Sequence, residues 1–246
     1  MLNNDCVTNK KFFKFYKKFC PGPMTFVLKL KKNSKISKNV TNNKKTLAIR
    51  FPAHSLTKKL LKLLNYPLAA PSANISTKIS PVCKEDVKDE FGNKIKFILD
   101  GGRSKIGLES TIISLVDKPK ILRLGGIERK KVNKILKTNI IYNKGEKKIT
   151  VPGQSKLHYS PGIPLRLNVK KPKSDEAFIL IKKRNKSLKS YYYLSKNKNL
   201  KQAAKNLYKI LRLIKNRSYK RIAVEKIPNI GVGEAINDRL KRAATK

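Results

Sequence analysis

The chain has 246 residues, enough for one sizeable core or two smaller ones. Hydrophobic residues make up 39%, with nine Phe and nine Tyr, which excludes a disordered composition, and no apolar stretch approaches the length of a membrane-spanning helix. Lys and Arg number 59 against 15 Asp and Glu, a formal charge of +44, so polyanions are attracted, and RNA is the obvious cytoplasmic one. The excess is spread along the whole chain and is mostly Lys, accompanied by abundant Asn and Ile. That spread favours background composition over a dedicated nucleic-acid patch. Cys6, Cys20 and Cys83 show no metal-ligand spacing and read as reduced thiols of a cytoplasmic protein. The first residues carry neither the basic nor the apolar region of a secretory signal.

Residues 10–19 place Phe12, Tyr16 and Phe19 on one helical face. Cys20-Pro21-Gly22-Pro23 is a turn, after which strands are predicted over Thr25 to Leu30 and Thr46 to Phe51. A helix follows from His54 to Leu64, then a strand-like run at Pro67 to Ala70 and the polar loop Pro71 to Asn74. Ser80-Pro81 reads as a helix start, with Ser as N-cap, Pro at the first position and Glu85 and Asp86 soon after. Strands at Ile95 to Leu99, Thr111 to Val116 and Lys120 to Leu124, and a helix at Glu128 to Leu136, complete an α+β sheet domain. From about Thr138 the pattern loosens, and Asn143 to Tyr159 reads as a linker ending in His-Tyr-Ser-Pro-Gly. Beyond it come strands at Ala177 to Ile181 and Tyr191 to Leu194, a strong amphipathic helix at Leu200 to Ile214, a strand at Arg221 to Ile227 and a helix at Gly233 to Ala244. That order predicts a small three-layer α/β domain.

Two histidines, His54 and His158, and no nucleophile-elbow sequence leave a hydrolytic triad without support. No close acidic cluster suggests a glycosidase pair or an all-protein metal cage. The P-loop pattern is absent, and Gly231-Val232-Gly233 alone reads as a strand-to-helix turn. What remains is a set of polar loops at strand ends: Arg50; Ser72 and Asn74; Asp100-Gly101-Gly102; Gly107 to Thr111; and Arg123. Taken singly, each has a local structural use. Together they supply guanidiniums, hydroxyls and backbone N–H groups that suit a ligand carrying phosphate and carboxylate.

The ordered series CPGPMTFVL, LAIRFPAH, PLAAPSANIS, ILDGGRSKIGLESTII and ILRLGGI resembles the threonylcarbamoyl-AMP synthase, or YrdC-like, family. VPGQSKLHYSPGIPL resembles the linker of its long two-domain members, and GVGEAINDRLKRAA the end of their C-terminal domain. The resemblance implies a twisted-sheet YrdC-like α+β domain followed by a small Rossmann-like α/β domain. The expected partition is a synthase domain over residues 1–137, a linker over 138–170 and a C-terminal domain over 171–246.

The implied reaction takes L-threonine, bicarbonate and ATP to threonylcarbamoyl-adenylate and pyrophosphate, with Mg²⁺ assisting. The product supplies the t6A modification of tRNA through downstream threonylcarbamoyl-transfer machinery. Carried over motif by motif, Arg50, Ala70 and Ser110 bind L-threonine. Thr46, Ser72, Ser80, Arg123 and Tyr159 bind ATP, and Asn74 supports the Ser72 loop. No side chain is assigned as a catalytic acid, base or nucleophile, and the metal ligands are left open.

Against the family pattern, a strand–helix unit or two with a basic ATP-gripping motif is expected before CPGP. The resemblance therefore implies an N-terminally truncated member, weak or inactive alone, whose alternative role is to bind tRNA or other double-stranded RNA without catalysis. The carbamoyl-transfer maturation factors embed a similar domain among acylphosphatase-like and zinc-finger segments, and this chain has no paired CxxC.

Overall fold

Asn9 fixes the first long element: its side-chain oxygen accepts a hydrogen bond from Phe12 N at 2.9 Å, satisfying one of the amides a helix start leaves unpaired. The computed structural model describes residues 2–142, 151, 153, 157–185 and 188–245. In chain order the elements are α1 (Leu2–Asp5), α2 (Lys10–Phe19), β1 (Met24–Lys29), α3 (Lys38–Thr41), β2 (Thr46–Arg50) and α4 (Ser55–Leu63). Next come α5 (Lys84–Phe91), β3 (Thr111–Ser114), β4 (Lys120–Arg123), α6 (Arg129–Leu136) and β5 (Ile141–Tyr142). The last are β6 (Leu165–Leu167), β7 (Glu176–Leu180), β8 (Tyr191–Tyr193), α7 (Leu200–Lys215), β9 (Arg221–Val224) and α8 (Gly233–Ala243).

These elements form two compact units that do not follow sequence order. Met1–Pro71 and Glu109–Gln154 make one; Ser72–Leu108 and Ser155–Lys246 make the other. The expected partition at 137/138 and 170/171 divides the chain, whereas packing assigns residues 72–108 to the unit that contains the C-terminal sheet. Most of the expected linker core, residues 143–150, 152 and 154–156, lies outside the described residues.

The first unit is built on a mixed sheet in the order β2-β1-β3-β4-β5. β1 runs antiparallel to β2 and parallel to β3, with Thr25 opposite Arg50 on one side and Ile112 on the other. β1 is buried along five of its six residues, which is why it reads as a continuous apolar run, as a strand covered on both faces does. Phe12 of α2 meets Phe26 of β1 edge-on at 5.0 Å. Helix α2 buries Phe12 and Phe15, which corrects the expected face of Phe12, Tyr16 and Phe19. The apolar stripe is centred between Phe12 and Phe15, so Tyr16 lies at its margin and packs on Phe51 at 4.9 Å.

The second unit carries a four-stranded, wholly parallel sheet in the order β6-β9-β7-β8. Asn199 caps α7 by accepting Gln202 N at 3.0 Å, and α7 buries Ala203, Ala204, Leu207, Tyr208, Ile210, Leu211 and Ile214. Two predicted strands are corrected: Pro67 to Ala70 and Ile95 to Leu99 are irregular. Neither finds a ladder partner, and Phe97 is left 90% exposed. Helix α5 starts at Lys84 with Cys83 as cap, not at Pro81, because Val82 N donates to the Asp86 side chain at 2.7 Å instead of entering the helix. The short strands β5 and β6 were not expected.

Glu176 is fully buried at the start of β7, where Arg166 Nε and Nη2 each donate to it at 2.7 Å and Lys173 N at 2.8 Å. Arg166 holds the carboxyl down at about 2, against the opposing effect of burial. The folded value lies below the ordinary glutamate range, so this contribution is full above about pH 5 and fades as pH falls toward 2. Glu176→Gln should cost on the order of 2 kcal/mol near neutral pH. In urea titrations, the gap from wild type should narrow from about pH 5 to about pH 3; a gap constant over that range would contradict the ion-pair account.

Candidate functional site

In the first unit the chemistry gathers at the sheet edge where β1 and β3 begin and β2 and β4 end. Thr25 of β1 and Ser110, just before β3, share a hydrogen bond of 2.7 Å between their hydroxyls, and both are buried. Arg123, at the end of β4, donates through Nε and Nη2 to the Ser110 carbonyl at 3.1 Å each, and through Nη2 to the Ser110 hydroxyl at 3.1 Å. Three strands thereby fix one hydroxyl.

Gly125 makes the arrangement possible. A Cβ there would strike Glu109 O and stand 2.5 Å from Ser110 C and Thr111 N, so only glycine lets the chain after β4 lie against the chain before β3. Gly126 N completes the approach by donating to Glu109 O at 3.0 Å.

Arg50 closes β2 directly opposite Thr25. Its Nε donates to Gly22 O at 3.4 Å, and among the described residues no carboxylate pairs with it. Burial lowers its pKa first, and the neighbouring Arg123 charge second. Both effects disfavour the cation, and both would be relieved by an anion placed between the two guanidiniums. Gly22 brings the turn into place: a Cβ there would strike Phe19 O, and Gly22 N donates to Phe51 O at 2.8 Å.

Two expected residues of this unit stand apart. Thr46 opens β2 opposite Lys29, four residues from Arg50 and on the order of 13 Å away at ~3.3 Å per residue. Ala70 lies in exposed irregular chain.

In the second unit, Asn74 is buried and its Nδ2 donates to Ile75 O at 2.9 Å and Lys78 O at 3.3 Å, folding residues 74–78 into a compact loop. Ser80 is buried at the loop's far end, whereas Ser72 is exposed and makes no side-chain hydrogen bond among the described residues. Tyr159 joins the same unit. Its backbone is left-handed at φ 62, and its ring is stacked 5.7 Å from Tyr208, with the Arg239 guanidinium 5.3 Å over its face. The next residue, Ser160, donates its N–H to Thr77 O at 2.8 Å, so the His-Tyr-Ser-Pro segment is attached to the Asn74 loop.

Among the described residues, no group of three or more His, Cys, Asp or Glu could hold a metal ion. Cys20, beside the turn, is pushed up to about 11 by burial and is a thiol rather than a nucleophile. The arrangement has the chemistry to orient an anion, and among the described residues these contacts join hydroxyls, carbonyls and guanidiniums. Thr25 and Gly125 were missed by sequence reasoning. A threonine inside the otherwise apolar run Met24 to Leu28 was the available signal for the first.

A family model for Sua5, YciO and YrdC proteins, described as "Telomere recombination", matches residues 2–125. A second, described as "Threonylcarbamoyl-AMP synthase, C-terminal domain", matches residues 127–245. The threonylcarbamoyl-AMP synthase of Pyrococcus abyssi is 33% identical over 249 residues, spanning 93% of this chain and 72% of that protein. The synthase of Bacillus subtilis is 34% identical, spanning 93% and 71%. The crystal structure of P. abyssi Sua5 complexed with L-threonine has a TM-score of 0.87 at 29% identity, over 99% of this chain and 76% of that one. Both domains, in order and over nearly the whole length, are those of the threonylcarbamoyl-AMP synthases, and the chain belongs to that family.

Proposed function

We infer that this protein makes threonylcarbamoyl-AMP and pyrophosphate from L-threonine, bicarbonate and ATP. The observation that carries the reading is the Arg50–Arg123 pair beside the Thr25–Ser110 hydroxyls, an anion-seeking site at the strand ends of a chain from this family. Arg50 holds the threonine carboxylate, and Ala70 and Ser110 line its pocket, a role supported by the L-threonine in the related Sua5 structure. Thr46, Ser72, Ser80 and Arg123 contact the nucleotide, Asn74 shapes the Ser72 loop, and Tyr159 closes over ATP. By chain order, residues 1–137 supply the synthase domain, 138–170 the linker and 171–246 the C-terminal domain.

The chemistry asks for little proton transfer. The threonine amine combines with bicarbonate to give a carbamate with loss of water. A carbamate oxygen then attacks the α-phosphorus and expels pyrophosphate. Barrier lowering comes from holding these partners in line and neutralising phosphate charge. Because the described residues present no acidic cage, Mg²⁺ in this reading arrives with the ATP phosphates. The product is passed to the transfer machinery that modifies tRNA. No helix among the described residues is long and apolar enough to cross a membrane, and we assign the reaction to the cytoplasm.

The direct test incubates the chain with L-threonine, bicarbonate and ATP and follows threonylcarbamoyl-AMP by mass spectrometry. Bicarbonate-dependent product is expected, and RNA binding with neither product nor ATP binding would replace the reading with a non-catalytic RNA-binding one. Arg50→Ala should raise the threonine concentration for half-maximal rate about 10- to 100-fold, the equivalent of losing ~1.5–3 kcal/mol of charge-assisted pairing. The requirement for ATP should change far less. Gly125→Ala should lower both the product rate, by more than about tenfold, and the thermal midpoint, since it forces Glu109 to Thr111 off their positions. A normal rate in that variant would remove the close approach from the account of the site.

A further inference from the structure

We propose that Arg212, on α7 of the C-terminal sheet's unit, is the positioning residue of the nucleotide loop that holds Asn74 and Ser80. Its guanidinium bonds that loop directly once and lies against two acids of α5 that hold the loop themselves. Nη2 donates to Ile79 O at 2.6 Å, the carbonyl that immediately precedes Ser80. Nη1 donates to Glu90 Oε2 at 3.3 Å, and Nε lies 3.7 Å from Asp86 Oδ2.

Each of those carboxylates holds the loop in turn. Asp86 Oδ2 accepts Val82 N at 2.7 Å, two residues after Ser80, and Glu90 Oε1 accepts Ile75 N at 3.3 Å, one residue after Asn74. The loop is therefore suspended at Ile75, Ile79 and Val82 from one arginine and two acids of α5, with Asn74 closing it from inside. All three charged side chains are largely buried, the Arg212 side chain being 13% exposed, so the pairs are little screened by solvent.

The arrangement requires arginine. A planar fork sends Nη1 to a carboxylate and Nη2 to a carbonyl while keeping its charge 3.7 Å from a second carboxylate; a lysine ammonium on its flexible stem would satisfy part of the set. The partners lie 122 and 133 residues away in sequence, so the C-terminal domain contributes directly to the geometry of a loop encoded in the synthase half. Arg212 touches no substrate in this account; it acts through Ser80 and Asn74. The proposal rests on the assignment of that loop to ATP.

The test compares wild type, Arg212→Ala, Arg212→Lys and, as a control, Arg184→Ala. The control removes a different ion pair of the same unit, that with Glu225 at 2.8 Å. Amide hydrogen exchange over residues 75–82 should quicken about tenfold or more in Arg212→Ala, less in Arg212→Lys, and stay unchanged in the control. Calorimetric titration should show ATP affinity falling about tenfold in Arg212→Ala, with threonine affinity within about twofold of wild type. Unchanged exchange in Arg212→Ala, or equal acceleration in Arg184→Ala, would overturn the positioning role. A wild-type chain that binds no ATP would overturn the ligand assignment instead, and the exchange data would still decide whether Arg212 holds the loop.

Discussion

Guanidiniums are the joints of this protein: Arg50, Arg123, Arg166 and Arg212 each tie one segment to a partner elsewhere in the chain. Arg123 is oriented by the Ser110 carbonyl and hydroxyl, and Arg50 by the Gly22 carbonyl. A neutral acceptor orients a guanidinium without cancelling its charge. Burial first and the Arg123 charge second lower the Arg50 pKa, so an anion beside the two guanidiniums would favour the charged form. Arg166 and Arg212 are bound to carboxylates. Their charge is used up internally, and what they give the protein is geometry.

The same distinction explains how so basic a chain uses its few acids. With 15 Asp and Glu against 59 Lys and Arg, acids are too few to pair the surface cations one for one. Glu176, Asp86, Glu90 and Glu225 are instead placed where a backbone amide and an arginine converge. In that position an acid satisfies a backbone N–H and compensates a cation together, which is more than an isolated surface pair contributes.

Much of the architecture was legible because it is written in period and punctuation. Residues 10–19 form a helix with the expected bounds, and the β1, β2, β3 and β4 strands and the α7 helix fall within a few residues of where apolar spacing put them. The failures share a cause. Pro67 to Ala70 and Ile95 to Leu99 carry strand-like composition, but a strand exists only with a partner to bond, and composition does not supply one. Thr25 was hidden because an apolar run predicts burial and says nothing of a hydroxyl that arrives from Ser110, 85 residues later. Ser80-Pro81 followed the rules of a helix start, yet the Asp86 side chain took the Val82 amide and delayed the helix to Lys84. The site residues came from ordered motifs, which name positions but not their anchoring.

That anchoring gives the non-sequential division of the chain its meaning. The backbone leaves the first unit after Pro71 and returns at Glu109, so Ser72 and Ser110 each stand within two residues of a crossing. At the return, Gly107 adopts φ +77 against α7, where a Cβ would lie 2.6 Å from Ala204 O and 2.7 Å from Lys205 O. Three residues later Ser110 is held by Thr25 and Arg123. Leu108 and Glu109 thus join a backbone packed against one sheet's helix to a hydroxyl fixed by the other sheet's strands.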